Sequence, residues 1–347
     1  MKGAIAVHTS EFPFRDQQRC ARETRTLSKG SWAMKHLSNK AGSPFKRVLF
    51  ATNCAADYEG ALQATFNFCQ TNKASLRILH VCKTDASPRG DSNASKDHSA
   101  ALLLRQMKER AIGLGLSCTS QLEWGVPAEK IAQAIEENQI NLVILGTSEL
   151  RGSKRGAFGP TAEQIMRRSN CAVMTVGPVA GDLVPQQAST GPVVFATDFH
   201  SVTRHAIQSA VCYCKSLDLQ LHCLHVLPRT LQSSHDNTLP ELLTCALKHL
   251  VATSEIPIEN PICSVTYGSE ISNSIVDYSR QQGASLIYLG VRRDSIFCPD
   301  YPLPIVFRVI TEAPCPVITV LCDAEADPES TGDPAPSKSA MPQSFLQ

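Results

Sequence analysis

The chain has 347 residues and a formal net charge of +1, from 33 lysines and arginines against 32 aspartates and glutamates. This balance gives no global field that would favour nucleic acid or an acidic partner. The 14 cysteines occur within apolar patterns and without an export signal, so we expect reduced thiols in a cytoplasmic protein rather than a disulfide framework.

The first 44 residues form a basic segment that is interrupted by Glu11, Asp16 and Glu23. Its longest apolar stretch is residues 4–7, which is too short for a secretory signal or a membrane span. We therefore predict a mostly disordered leader over 1–44 with a helix near 16–27. We expect it to bind neither nucleic acid nor a membrane.

Residues 45–177 alternate short apolar runs with stretches of helical periodicity. The first run, 48–51, predicts a strand, and apolar residues at three- and four-residue spacings after it predict a helix. The polar segment 84–98 contains serine, asparagine, proline and glycine, which predict a loop. The other predicted elements are strands at 76–81, 118–124, 142–145 and 172–176, helices at 99–113 and from Pro127 and Pro160, and an irregular loop at 147–159.

The same order recurs in residues 192–322. Phe-Ala-Thr-Asn at 50–53 returns as Phe-Ala-Thr-Asp at 195–198, and Cys-Ala-Val-Met-Thr-Val at 171–176 returns as Cys-Pro-Val-Ile-Thr-Val at 315–320. A repeat of about 130 residues is a domain rather than a solenoid unit. The second copy is predicted to have strands at 193–197, 219–226, 262–267, 286–289 and 316–321, helices at 202–215, 238–252, 270–281 and 304–311, and a loop at 290–303.

Strands that alternate with helices predict right-handed crossovers and a parallel sheet covered on both faces. Continuous apolar strands such as 142–145 fit that arrangement. The predicted fold class is therefore α/β, with two tandem doubly wound, Rossmann-like domains at 45–177 and 192–322. A linker rich in proline, glycine and glutamine is predicted at 178–191, and a disordered tail at 323–347.

Ligands of such sheets bind beyond the carboxyl ends of the strands, where the strand order reverses. Three places in each copy therefore deserve inspection: the residue after the first strand, the end of the second strand, and the loop after the fourth. In the two copies these places hold Asn53 and Asp198, Val81 and Val226, and Gly146 and Gly290.

The Ala-Thr-Asp opening at 196–198, the His-Val strand ends and the Leu-Gly strand ends resemble the universal stress protein family. The resemblance covers essentially all of 46–177 and 192–321, and it implies a fold like that of the adenine nucleotide alpha hydrolases. Many members bind ATP through a Gly-x2-Gly-x9-Gly-[Ser/Thr] loop after the fourth strand, whereas others lack this loop and bind no nucleotide. In the binders, an aspartate after the first strand holds the nucleoside and the second strand end meets adenine.

The chemistry of that loop depends on its glycines, which let backbone N–H groups approach phosphate oxygens. The following helix adds aligned donors at its N-terminus. In copy one, Gly146 and Gly159 match the first and third glycines, but Glu149 stands at the second and Pro160 at the hydroxyl position. Gly152 lies within this loop, Thr161 follows Pro160, and the residue at the aspartate position is Asn53.

Copy two keeps Asp198 and Gly290, but Arg293, Leu303 and Pro304 occupy the other loop positions. Neither copy is therefore complete. A carboxylate such as Glu149 about 4 Å from one phosphate charge costs up to about 4 kcal/mol at an effective dielectric near 20. That corresponds to about a thousandfold in affinity.

Each candidate also has a purely structural interpretation. Gly159 can cap the helix that starts at Pro160, and Gly146 and Gly290 can serve the turn that leaves a strand. Asp198 can cap the helix that begins near residue 201. His80 and His225, at strand ends, are predicted to be structural. The sequence contains no Cys-x-x-Cys pair, and we expect no metal site.

We predict a tandem universal stress protein that acts by binding and regulation without turnover, with ATP binding weak or lost. The alternative is an ATP-binding switch that uses domain 1 with slow hydrolysis. An enzyme of a related nucleotide-dependent class is disfavoured because the P-loop and related signatures are missing. Relatives pair through their last strands, so we expect 172–176 and 317–321 to form an internal pseudo-dimer; homo-oligomerisation stays open.

Overall fold

The computed structural model describes residues 42–54, 58–82, 91–147, 160–181, 190–200, 203–232, 237–254, 256–292 and 303–322. These residues form one ten-stranded sheet in the order β3-β2-β1-β4-β5-β10-β9-β6-β7-β8. The predicted leader helix and the C-terminal tail lie outside the described residues.

Strands and helices alternate along the chain, as the sequence predicts. The strands are β1 (Arg47–Thr52), β2 (Ser75–Cys82), β3 (Cys118–Trp124), β4 (Leu142–Gly146), β5 (Ala172–Val176), β6 (Val193–Ala196), β7 (Leu221–Pro228), β8 (Ile262–Gly268), β9 (Leu286–Arg292) and β10 (Val317–Cys322). The helices are α1 (Glu59–Asn72), α2 (Asp91–Gly113), α3 (Pro127–Glu137), α4 (Pro160–Arg168), α5 (Pro178–Gly181), α6 (Thr203–Leu217), α7 (Thr238–Ala252), α8 (Ile271–Gln281) and α9 (Leu303–Glu312), with a 3-10 turn at Arg229–Leu231.

Each copy is doubly wound. All strand pairs within a copy are parallel, and the order reverses between β1 and β4 and between β6 and β9. Helices α1, α2, α6 and α7 pack on one face of the sheet, and α3, α4, α8 and α9 pack on the other. Burial on both faces explains why β4 is apolar throughout residues 142–145, all of which are buried. The predicted α/β class is confirmed.

The two copies meet through their last strands about a local two-fold axis. Strands β5 and β10 pair antiparallel, with the repeat-equivalent residues Met174 and Ile318 opposite each other. Two equivalent hydrogen bonds flank this pair: the hydroxyl of Thr175 donates to the carbonyl of Val317 over 3.2 Å, and Thr319 donates to Val173 over 3.2 Å. The predicted side-by-side placement of these strands is therefore present in the structure.

Helices α1 and α6 add a second equivalent contact across the axis. Phe68 and Tyr213 occupy the same position in the repeat, and their rings stack with centroids 5.9 Å apart and planes 4° from parallel. Phe45 contacts both rings from the start of copy one. Contacts between equivalent residues are what a two-fold interface requires, so the copies are arranged as an isologous dimer within one chain.

The largest differences from the sequence prediction concern three elements. Helix α2 begins at Asp91, inside the predicted loop 84–98, because no glycine or proline occurs in 91–112 after Gly90. Strand β9 continues to Arg292 instead of ending at residue 289. The predicted linker 178–191 begins with a short helix, α5, which contacts α1 and α9 and buries Ala180.

Gly177 joins β5 to α5 where the second copy packs closely. A Cβ atom at this position would overlap the backbone carbonyl oxygen of Ile310 in α9. We expect Gly177→Ala to lower the free energy of unfolding by about 1–3 kcal/mol, since overpacking forces the backbone to move. Gly113→Ala is the matched control, because a Cβ there has open space and should stabilise the chain by about 0.5–1 kcal/mol. Equal effects of the two changes in urea unfolding would contradict this packing.

Candidate functional site

The turn after the first strand has the same hydrogen bonds in both copies. The hydroxyl oxygen of Thr52 accepts from the backbone N–H of Cys54 over 3.0 Å, and that of Thr197 accepts from Phe199 over 2.9 Å. Cys54 and Phe199 have φ angles of 54° and 64°, in the left-handed region that non-glycine residues seldom adopt. The repeated geometry directs the chain away from the carboxyl ends of β1 and β6 in the same way.

A histidine on the second strand fixes each of these turns. Nδ1 of His80 lies 2.8 Å from the carbonyl oxygen of Thr52, and Nδ1 of His225 lies 2.8 Å from that of Thr197. Because a carbonyl oxygen only accepts, Nδ1 carries the proton in both histidines. The ring of His225 also contacts Phe199, with centroids 4.8 Å apart. The prediction that His80 and His225 are structural agrees with these bonds.

Asn53 and Asp198 occupy equivalent exposed positions in these turns. One carboxylate oxygen of Asp198 accepts from the backbone N–H of His200 over 3.0 Å, which forms a local turn two residues long. This bond closes a turn within residues 198–200. The described part of α6 begins at Thr203, and the predicted helix start near residue 201 lies outside the described residues. At this position copy two has a carboxylate and copy one has an amide.

Val81 and Val226 are buried and lie one or two residues before the ends of their strands. The β1–β2 ladder ends with Thr52 opposite His80, whereas β2 continues to Cys82. Strand β7 likewise continues to Pro228. Val81 and Val226 therefore lie beyond the last described pair with the first strand, which is the backbone that the resemblance associates with adenine.

Asp97 also lies at this edge of the sheet, although no sequence pattern marked it as a candidate. Its carboxylate accepts from Nε1 of Trp124 over 3.1 Å, and the thiol of Cys82 also donates to it, so both bonds hold the pKa of Asp97 below its usual range. Burial and this bond raise the pKa of the Cys82 thiol to about 11. Because α2 begins at Asp91, Asp97 lies on this helix beside the ends of β2 and β3. A prediction that placed the helix start at residue 91 would have identified Asp97 as a candidate.

Gly146 and Gly290 are equivalent in the repeat, but they differ in their position relative to the end of the fourth strand. Gly146 ends β4 opposite Val176, and a Cβ there would lie 2.9 Å from that of Ala61 in α1. Gly290 pairs with Val320 inside β9, which continues for two more residues. The prediction that Gly290 starts a loop after the fourth strand is therefore wrong, because continued pairing with β10 keeps this backbone in the sheet.

The loop glycines Gly152 and Gly159, and Glu149 with them, lie outside the described residues. Helix α4 begins at Pro160, as predicted, and Thr161 is half-buried in its first turn. That turn also contains Glu163. A carboxylate near a helix N-terminus satisfies the positive end of the dipole, so α4 is less suited to a phosphate than an uncharged first turn would be.

The described residues offer little for covalent or metal chemistry at this edge. Burial raises the pKa of the Cys54 thiol to about 11, which leaves it protonated at neutral pH. Within the described ranges, no cluster of three histidine, cysteine or acidic side chains is placed to hold a metal ion. None of the described helices has the length and apolar character needed to cross a membrane.

Comparison with known proteins matches both halves of the chain to one family. The model of the universal stress protein family matches residues 44–177 and 190–320. A universal stress protein of Staphylococcus aureus strain USA300 is 28% identical over 155 residues, which cover 42% of this chain and 93% of that protein.

Two solved structures resemble the whole tandem arrangement. The crystal structure of a universal stress protein from Archaeoglobus fulgidus has a TM-score of 0.61 at 18% identity, and covers 80% of this chain and 98% of its own. A universal stress protein from Pseudomonas aeruginosa UCBPP-PA14 has a TM-score of 0.54 at 15% identity, and covers 80% of this chain and 94% of its own. At these identities the likeness establishes the fold alone.

Proposed function

Because this chain belongs to the universal stress protein family and carries its domain twice, we propose that it acts in the stress response by binding and regulation, without turnover. We further propose that its affinity for ATP is low or absent. The two copies serve mainly as a joined scaffold, in which the pairing of β5 with β10 replaces the association of two separate chains.

The observation that carries this proposal is the division of the site between the copies. Copy one has Gly146 at a strand end but an amide, Asn53, after its first strand. Copy two has the carboxylate of Asp198, but β9 runs through Gly290. A nucleotide needs the acid and the phosphate loop in one copy, since its reach does not extend across the sheet from one switch point to the other.

Charge supports the same conclusion for copy one. The loop position that calls for a second glycine holds Glu149, and Glu163 stands in the first turn of α4. Each carboxylate opposes a polyanionic ligand. We assign any residual ATP binding to copy one, with Asn53, Val81, Gly146, Gly152, Gly159 and Thr161 as its contacts.

The remaining parts of the proposal concern organisation and location. We propose domain limits of 45–177 and 192–322, with 1–44 and 323–347 as extensions. Eleven cysteines among the described residues are free thiols, which supports a reducing, cytoplasmic location. Association of two chains into a homo-oligomer is compatible with the internal pairing, because β3 and β8 form the outer edges of the described sheet.

Titration of the full-length protein with ATP and Mg²⁺ by calorimetry tests the proposal, with phosphate release measured in parallel. We expect a dissociation constant weaker than about 100 μM, which corresponds to less than about 5.5 kcal/mol of binding free energy, and no release above the rate without protein. A dissociation constant of about 1 μM or tighter would overturn the proposal in favour of an ATP-binding switch. Release of phosphate at a rate proportional to protein concentration would establish turnover.

A further inference from the structure

Two cysteines stand directly opposite each other at one edge of the sheet. Cys223 in β7 and Cys263 in β8 are partners in the parallel register, and β8 is the last strand of the described sheet. Partners in adjacent strands project to the same face. Cys223 belongs to the core on that face and Cys263 packs against it, so the two thiols are neighbours beneath α7.

The two thiols differ in exposure and in proton affinity. Cys223 is fully buried, whereas Cys263 is partly exposed. Hydrogen bonding from the Cys223 thiol and the positive charge of Lys248 in α7 lower the pKa of the Cys263 thiol below its usual range. The same bond, together with burial, raises the pKa of Cys223 well above its usual range.

We propose that Cys263 and Cys223 form a peroxide-sensitive modification site, in which Cys263 is the attacking thiol and Cys223 the resolving thiol. The Cys263 thiolate attacks the distal oxygen of a hydroperoxide; the O–O bond breaks and the alkoxide takes a proton to leave as alcohol. The sulfenic acid on Cys263 is then attacked by the Cys223 sulfur. The S–O bond breaks, the S–S bond forms, and the oxygen leaves as water with the Cys223 proton. Two thiols lose two electrons to one hydroperoxide.

This site is particular to the second copy. His80 and His225 are equivalent in the repeat, so Ile78 in copy one is the equivalent of Cys223 in copy two. Ile78 lies opposite Ser120 in the neighbouring strand. Copy one therefore has no thiol at either position of the pair. The site is independent of nucleotide, because it lies on a strand pair away from the switch point between β6 and β9.

Oxidation of the reduced full-length protein with hydrogen peroxide, followed by alkylation and non-reducing peptide mapping, tests the proposal. We expect a peptide that joins Cys223 to Cys263 and a decrease of about 2 Da in the mass of the chain at low peroxide. Cys245, an exposed thiol of α7, is the internal control and should be oxidised later than Cys263. This measurement needs no variant and so does not depend on how a variant folds.

Variants assign the two roles. In Cys223→Ser, Cys263 should stop at the sulfenic acid and be labelled by dimedone, whereas in Cys263→Ser the buried Cys223 should stay reduced. Cys245→Ser should leave the Cys223–Cys263 link unchanged. The proposal fails if Cys263 is oxidised no faster than Cys245, if Cys263 links instead to Cys214, or if dimedone labels Cys263 equally in the unaltered chain and in Cys223→Ser.

Discussion

Replacing Ile318 with alanine is expected to lower the free energy of unfolding by about 2–5 kcal/mol, the usual cost of truncating a buried aliphatic side chain. Ile318 is fully buried and lies opposite Met174, where the local two-fold axis crosses the sheet. The cavity would open at the joint between the copies, with β9 and β5 on either side of β10. We therefore expect Ile318→Ala to destabilise both copies more than most other single truncations to alanine.

Trp124 allows the coupling of the copies to be followed directly. The chain has two tryptophans, so in a Trp32→Phe background the fluorescence reports from Trp124, at the end of β3 in copy one. Urea unfolding should then show the Trp124 transition shifted by Ile318→Ala, although the substitution is in copy two. Ile271→Ala, at a 39% exposed position of α8, is the control and should change stability by less than about 1 kcal/mol. An unshifted Trp124 transition would contradict a sheet shared by the copies.

The second large effect is expected in the loop of copy one. Glu149→Gly combined with Pro160→Ser should tighten the binding of ATP with Mg²⁺ by between about tenfold and about a thousandfold. The upper limit is the removal of one carboxylate about 4 Å from a phosphate, which is worth about 4 kcal/mol at an effective dielectric near 20. Serine at 160 also restores a backbone N–H at the start of α4. Calorimetric titration of the variant beside the unaltered chain measures the change.

Copy two supplies the matched control for this experiment. Arg293→Gly with Pro304→Ser makes the corresponding changes after β9. We expect no gain in affinity, because β9 continues past Gly290 to Arg292 in pairing with β10, whereas β4 ends at Gly146. A gain in copy two equal to that in copy one would contradict the distinction between Gly146 and Gly290. No gain in either copy would show that position 149 is not the second position of a phosphate loop.

The architecture was predictable because its signal is repeated and periodic. Apolar runs such as 142–145 and the recurrence of 171–176 at 315–320 indicated buried parallel strands and a duplication. The pairing of the last strands followed from the resemblance, and the opposed Met174 and Ile318 give it atomic detail. Helix limits were harder to predict where polar residues dominate. The start of α2 at Asp91 is marked only by the absence of glycine and proline in residues 91–112.

The site was harder to predict, because it depends on where strands stop. Gly146 and Gly290 both follow a leucine in an apolar run, yet β4 ends there and β9 continues. Continued pairing with β10 is a tertiary effect that no local pattern encodes. Asp97 was missed for a related reason, since it reaches the site only because α2 starts early. The structural role predicted for His80 and His225 from their place at strand ends is consistent with the equivalent bonds that they make to Thr52 and Thr197.

The nucleotide content of the purified protein tests the central claim most directly. The protein would be isolated at low salt, denatured, and its supernatant examined by ultraviolet absorbance and mass spectrometry for adenine nucleotides. Because the acid and the phosphate loop are in different copies, and carboxylates in copy one oppose a polyanion, we expect well below one bound nucleotide for every ten chains. One adenine nucleotide for each chain, retained through purification, would contradict that account.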